Sequence, residues 1–213
     1  MREASGETNP PGTALIECLE EARRRGFLGS GAVEDQVRHA VSFAAVVGEE
    51  PRLFVDLGTG GGVPGLVLGL SWRDAAALLV EAKRARARFL REWVERLDLG
   101  GRARVIEDRA EAVARAPELR HRADAVVARG FGVPPIAAEC AAGLLRPGGL
   151  LVVSEPPGAP QQVRWPDAGL RQLGFGPAEW TRAGGFSFAR MRLERGSDDW
   201  PRAVGRPQRR PLW

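Results

Sequence analysis

From Arg52 to Glu155 the chain alternates five short apolar runs with stretches of helical periodicity, and this alternation narrows its fold more than any other feature. The runs are RLFVDL (52–57), AALLVEA (76–82), ARVIE (103–107), ADAVVAR (123–129) and GGLLVVSE (148–155). Helical patterns lie between them near Pro64–Leu70, Lys83–Leu97, Arg109–Ala114 and Pro134–Leu144. Runs that are apolar at consecutive positions suit strands buried on both faces. Strand–helix–strand succession then predicts a mostly parallel sheet covered by helices on both sides, an α/β fold of Rossmann-like type. Two amphipathic helices, Ala14–Gly26 and Ala32–Val47, precede the first strand and define a short N-terminal helical extension, 1–50. After Pro160 come a weak helix at Asp167–Leu173 and two strands, Ala178–Arg182 and Phe186–Leu193, which turn at Gly184-Gly185. The core domain is thus 51–194. A basic tail, 195–213, rich in Pro, Gly and Arg, is expected to lack regular structure.

The composition sets outer limits. A chain of 213 residues supports one substantial core. No apolar run approaches the roughly 18–20 residues that span a bilayer, so no membrane partner is expected. The polar start, MREASGETNPPG, lacks the features of a signal or transit peptide and predicts a cytoplasmic protein. Cys18 and Cys140 have no metal or redox spacing and read as reduced packing residues. With His39 and His121 the only histidines, neither a metal cluster nor a Ser–His–Asp triad is expected. The net charge is +4, and Lys83 is the one lysine among 31 basic residues. Arginine suits phosphates and base edges, although a GC-rich genome produces the same bias.

The first strand runs into FVDLGTGGGVPG (54–65), five glycines at a strand-to-helix turn. Such a turn lets the backbone approach a ligand at the carboxyl end of the sheet. Gly60, Gly62 and Gly65 fit the dinucleotide pattern, a weak match by itself. Asp56, Gly58, Gly60 and Gly62 fit a second frame, with an acid just ahead of the first glycine. A carboxylate there repels a pyrophosphate and can pair with the amino group of a methionine moiety. The reading therefore favours S-adenosylmethionine over NAD. Glu81, at the end of the second strand, would hold ribose hydroxyls with either cofactor. After the third strand, Asp108 or Glu111 would accept from an adenine amino group, or else flank the next helix.

The fourth strand ends in Ala128-Arg129-Gly130-Phe131, where an acceptor would meet a transferable methyl group. The Asn/Asp-Pro-Pro-aromatic signature of exocyclic-amine methylation is missing here. The Ser154–Pro157 stretch, SEPP, reads as a strand-ending turn. An acceptor with an available lone pair, such as guanine N7, needs positioning rather than a general base. Arg129 can orient a carboxylate, phosphate or guanine edge, and Phe131 can stack on a base. The alternative for Arg129 is a structural ion pair with Asp108 or Glu155.

Five segments together, VDLGTGGGVPGLVLGL, EAKRARARFLREWVERL, EDRAEAV, VVARGF and LLRPGGLLVV, with the tail WPRAVGRPQRRPL, resemble the bacterial 16S rRNA guanine-N7 methyltransferases of the glucose-inhibited-division type B group. The resemblance implies a class I, S-adenosylmethionine-dependent fold and a 16S rRNA or small-subunit substrate. It implies cofactor contacts at Gly58, Val63, Ala110, Glu111 and Arg129, with Arg129 beside both cofactor and substrate. It also implies that Arg202, Arg206, Arg209 and Arg210 meet RNA phosphates, against the alternative of a solvated end. Three departures stand out. Ser-Arg-Ala-Phe has become Ala128-Arg129-Gly130-Phe131. Leu-Lys-Gly has become Ser154-Glu155-Pro156, which puts an anion at the mouth of the site. Beside Arg38-His39 the Asp-Ser of the family has become Ser42-Phe43, and its Asn-Leu-Thr segment is missing. These leave two further readings open: a methyltransferase of small molecules, and a non-catalytic cofactor- or RNA-binding paralogue.

Overall fold

The computed structural model describes residues 11–158 and 161–213. Residues 1–10, part of the expected N-terminal extension, lie outside the described residues. Two helices, α1 (Pro11–Arg24) and α2 (Val33–Val47), lead into β1 (Leu53–Leu57), α3 (Gly65–Ser71), β2 (Ala76–Val80), α4 (Arg84–Arg96) and β3 (Ala103–Ile106). The chain continues through α5 (Ala110–Val113), β4 (Ala123–Ala128), α6 (Pro134–Leu144) and β5 (Leu145–Glu155). It ends with α7 (Gln161–Arg164), α8 (Asp167–Gln172), β6 (Glu179–Ala183), β7 (Phe186–Arg192) and α9 (Arg206–Arg209).

The seven strands form one sheet in the order β3-β2-β1-β4-β5-β7-β6. The first five are parallel, and β7 runs antiparallel to both β5 and β6. The strand order reverses between β1 and β4, and a crevice opens beyond the carboxyl ends at such a switch point. Register fixes what lies there. Leu57 pairs with Val80 and Ala128, and Ala128 with Val153. The next residues, Gly58, Glu81 and Arg129, therefore leave the sheet in one row, level with Ser154, which continues β5.

Alternation along the strands divides the core. Phe54, Leu79, Val127 and Val152 face α1–α4, and Val55, Leu78, Val126 and Leu151 face α5, α6 and α8. Asp56 shares the parity of Phe54, so its carboxylate points under the start of α3. Helix α6, PPIAAECAAGL, is buried at every position. A helix apolar on every side but for Glu139 needs cover on its outer side, and the tail supplies it. The single turn α9 and the buried Pro201 and Pro207 sit in this tail, where the sequence predicted no regular structure. Pro201 packs so closely that a Cβ on Gly143 of α6 would lie 2.5 Å from its Cδ. Among the described residues no helix is long and apolar enough to cross a membrane.

Candidate active site

The glycine loop turns at Gly58, Gly60 and Gly62, with φ of 69°, 61° and 101°. These angles favour glycine. Gly58 is doubly constrained, because a Cβ there would come within 2.6 Å of the Phe131 ring. That ring leaves β4 and rests on the loop. The amides of Gly58 and Thr59 donate to Val80 O at 2.9 and 3.0 Å. Glu81 ties the loop to β2: its Oε2 accepts from Gly60 N at 3.0 Å and its Oε1 from Lys83 N at 2.8 Å. Each carboxylate oxygen keeps a lone pair for a further donor.

Asp56 is buried, and its Oδ2 accepts from Gly65 N at 2.8 Å, holding the start of α3. Oδ1 has no partner among the described residues. Burial pushes its carboxyl up to about 7, against the opposing hydrogen bonds from Gly65 and Thr59 and the charge of Arg129. Arg129 donates from Nη2 to Gln36 Oε1 on α2, and its buried Nη1 has no partner among the described residues. A carboxylate oxygen and a guanidinium nitrogen are thus left unsatisfied at the switch point, each costing about 1–3 kcal/mol. The amino-acid end of S-adenosylmethionine carries an ammonium and a carboxylate, the complements of these two groups. With the glycine cradle and Glu81, the residues fit that cofactor.

Neither ion pair considered for Arg129 forms. Asp108 Oδ1 accepts from Arg109 N at 2.7 Å. Glu155 is buried, with Arg164 Nε 2.6 Å from its Oε2 and Trp165 Nε1 2.9 Å from its Oε1. The anion expected at the mouth is therefore neutralised from within. Trp213 Nε1 in turn donates to Arg164 O at 2.9 Å, so the chain's end steadies the segment that supplies the counter-charge.

A cavity of about 760 Å³ opens at the carboxyl ends of β4 and β5. Arg129, Phe131, Arg164, Arg182, Phe186 and His39 line it, with Glu155 at its side. His39 stacks on Phe186 at 4.2 Å between centroids and 12° between planes. Burial, and secondarily the charge of Arg129, lowers the His39 pKa to about 4, so the imidazole is neutral near pH 7. Among the described residues no group of three or more His, Cys, Asp or Glu side chains gathers to hold a metal.

The other expected site residues differ in exposure and partners. Val63 and Ala110 are buried and Asp108 is exposed. Glu111 faces the tail, where its Oε1 accepts from Arg109 Nη2 at 3.0 Å and Gly205 N at 3.1 Å. Burial raises its pKa, but these bonds, with those from its own amide and Gln208, outweigh it and hold the carboxyl below its ordinary value. The Glu111 carboxylate is thus engaged by the tail and by Arg109. Arg202, expected to meet RNA, is instead bound to the fully buried Glu139. Arg206, Arg209 and Arg210 remain exposed. Sequence reasoning missed Gln36 on α2, and it noted His39 in the Arg38-His39 pair without giving it a role at the site. The available signal was Gln36, a polar residue on the buried stripe Val33, Gln36, Ala40, Phe43.

The sheet order, the glycine loop and the acidic ends of β1 and β2 define the Rossmann-like fold of class I methyltransferases. The solved O-methyltransferase from Bacillus cereus in complex with SAH shares that fold, with a TM-score of 0.60 at 16% identity, covering 85% of this chain and 90% of that one. The chain belongs to the GidB family: the family model described as rRNA small subunit methyltransferase G matches residues 31–156. The ribosomal RNA small subunit methyltransferase G of Deinococcus deserti is 33% identical, over 94% of this chain and 87% of its own. The protein of the same description from Rubrobacter xylanophilus is 34% identical, over 89% and 78%.

Proposed function

We infer that this protein is an S-adenosylmethionine-dependent methyltransferase of small-subunit rRNA, and we propose N7 of a guanine as the acceptor atom. One observation carries the choice of atom: an arginine- and aromatic-lined cavity adjoins the glycine loop, and among the described residues no side chain in its lining is poised to remove a proton. The His39 pKa is held near 4 and Glu155 is bound by Arg164 and Trp165. Guanine N7 presents an in-plane lone pair and loses no proton on methylation, so it suits such a site.

Asp56, Arg129, Glu81 and the open face of the glycine loop would hold the cofactor, which when bound supplies an activated methyl on a sulfonium. The work left to the protein is orientation. Arg129, braced by Gln36, can donate to guanine O6 and leave N7 free. Phe131 offers a face for the base, and Phe186, stacked on His39, forms part of the wall. Arg182 supplies positive charge at the mouth, since Arg164 is paired with Glu155, and Arg206, Arg209 and Arg210 add exposed positive charge on the tail. A ribosomal substrate would place the protein in the cytoplasm. The neutralised Glu155 removes one of the two reasons to prefer a small-molecule acceptor, the other being the altered segment beside Arg38-His39.

The test is transfer of labelled methyl from S-adenosylmethionine by purified protein to undermethylated small subunits or 16S rRNA. Label is expected in guanine. Cofactor binding without transfer to any of these RNAs would overturn the reading. Two further outcomes follow. Glu81→Ala should weaken cofactor binding about tenfold by calorimetry, because ribose hydroxyls lose a buried acceptor. Unchanged affinity would remove Glu81 from the cofactor site. For Asp56, an ammonium pairs with the ionised carboxylate, so cofactor affinity should climb with pH and level off above about 7. The sign for stability is opposite. The raised folded-state pKa means that the free protein binds the proton more tightly than its unfolded chain, and loses stability as pH rises from about 3.9 toward about 7. Asp56→Asn should flatten both profiles in binding titrations and melts.

A further inference from the structure

A second cavity, of about 400 Å³, continues from the first across Arg182. The two share Glu155, Pro156, Gly158, Arg182 and Ser187, and the second ends on Trp180. Register explains the arrangement. Glu155 pairs with Ser187, and Ser187 with Arg182, so the three form one row across the carboxyl end of the sheet. Trp180 and Arg182 stand two residues apart on β6 and share a face. Arg182 is exposed and has no ion-pair or hydrogen-bond partner among the described residues. Glu155, the acid in its row, is already bound to Arg164 and Trp165. An unquenched cation therefore stands between two cavities, with aromatic side chains in each.

We propose that the second cavity is a subsite for the nucleotide next to the acceptor, with that base stacked on Trp180 and the intervening phosphate on Arg182. This inference rests on the rRNA reading above, and it specifies the substrate as single-stranded RNA with two adjacent unstacked bases. A base held in a duplex stack cannot reach such a pocket without leaving the stack. Aromatic stacking accepts any base, so the subsite selects for strand state rather than for sequence.

The experiment measures binding of a 16S rRNA transcript, and of a short single-stranded fragment of it around the methylated guanine, to wild type, Trp180→Ala, Trp180→Phe and Arg182→Gln. Binding is followed across a salt series, with cofactor affinity and melting temperature measured alongside. Trp180→Ala should weaken the fragment roughly tenfold, with Trp180→Phe recovering most of it. Arg182→Gln should reduce the salt slope by about 0.7, one single-strand phosphate contact. An abasic neighbour, tried in turn on each side of the guanine, should weaken wild type by a similar factor on one side and leave Trp180→Ala little changed. A complementary strand should abolish binding of the fragment. Wild-type affinity and salt slope in the variants, while the wild type still methylates the RNA, would overturn the subsite alone. Failure of the wild type to bind or methylate the RNA would overturn the rRNA reading itself.

Discussion

Arg129→Ala is expected to cut methyl transfer at saturating cofactor by about a hundredfold or more, and to weaken cofactor binding by no more than about tenfold. The asymmetry follows from the position of the guanidinium. Arg129 follows Ala128 in the row at the switch point, between the glycine loop and the large cavity. Its Nη2 is fixed by Gln36, which limits the rotation of the remaining donors. Cofactor binding keeps the loop, Asp56 and Glu81 when Arg129 is lost. Orientation of the acceptor keeps only stacking, and an acceptor displaced by an ångström loses about two orders of magnitude in rate. Lysine should not rescue, since it cannot hold Gln36 and present a second planar pair of donors. Single-turnover transfer to small-subunit RNA, with parallel calorimetry of the cofactor, separates the two effects. Equal losses in both would assign Arg129 to the cofactor alone.

Glu139→Ala is expected to destabilise the protein by about 3–5 kcal/mol, lowering the melting temperature by roughly 10 °C. Glu139 is fully buried on α6, and it accepts from Arg202 N and Nε at 2.8 Å and from Nη2 at 2.6 Å. Arg202 also donates to Arg210 O at 3.0 Å, and Arg115 to Pro201 O at 2.8 Å. Removing the carboxylate leaves the Arg202 guanidinium with only Arg210 O, leaves its backbone amide unpaired, and uncovers α6. Glu139→Gln keeps the shape and loses the charge, so it should fall between wild type and alanine. Adding Arg202→Ala to Glu139→Ala should cost little more, because the two residues act as a unit. Additive losses in denaturant titrations would show that each side chain stabilises the tail independently.

The parallel sheet and its loop were readable because their signals are local: consecutive apolar residues for doubly buried strands, and glycines wherever φ must be positive. What the sequence hid is contact across long separations. Gln36 and Arg129 are 93 residues apart, and Glu139 and Arg202 are 63 apart. Neither pair has a spacing rule. Arg202 read as one more cation in a basic tail, and only α6, apolar except for Glu139, hinted that something must cover it. Glu155 read as an anion facing substrate because Arg164 and Trp165 turn back on it only after the chain has left β5. Asp56 was legible as the acid ahead of the glycines. Its second role, holding the start of α3 through Gly65, follows from strand parity and from the missing Cβ at Gly65, which would lie 2.5 Å from Oδ2.

The most direct test is to map N7-methylguanine in 16S rRNA from cells with and without this gene. Borohydride reduction and aniline scission cut the chain at that base. One cleavage in small-subunit rRNA should vanish on deletion, return with the wild-type gene and stay absent with Arg129→Ala. An identical cleavage pattern with and without the gene would contradict the assignment of guanine N7 in 16S rRNA as the acceptor.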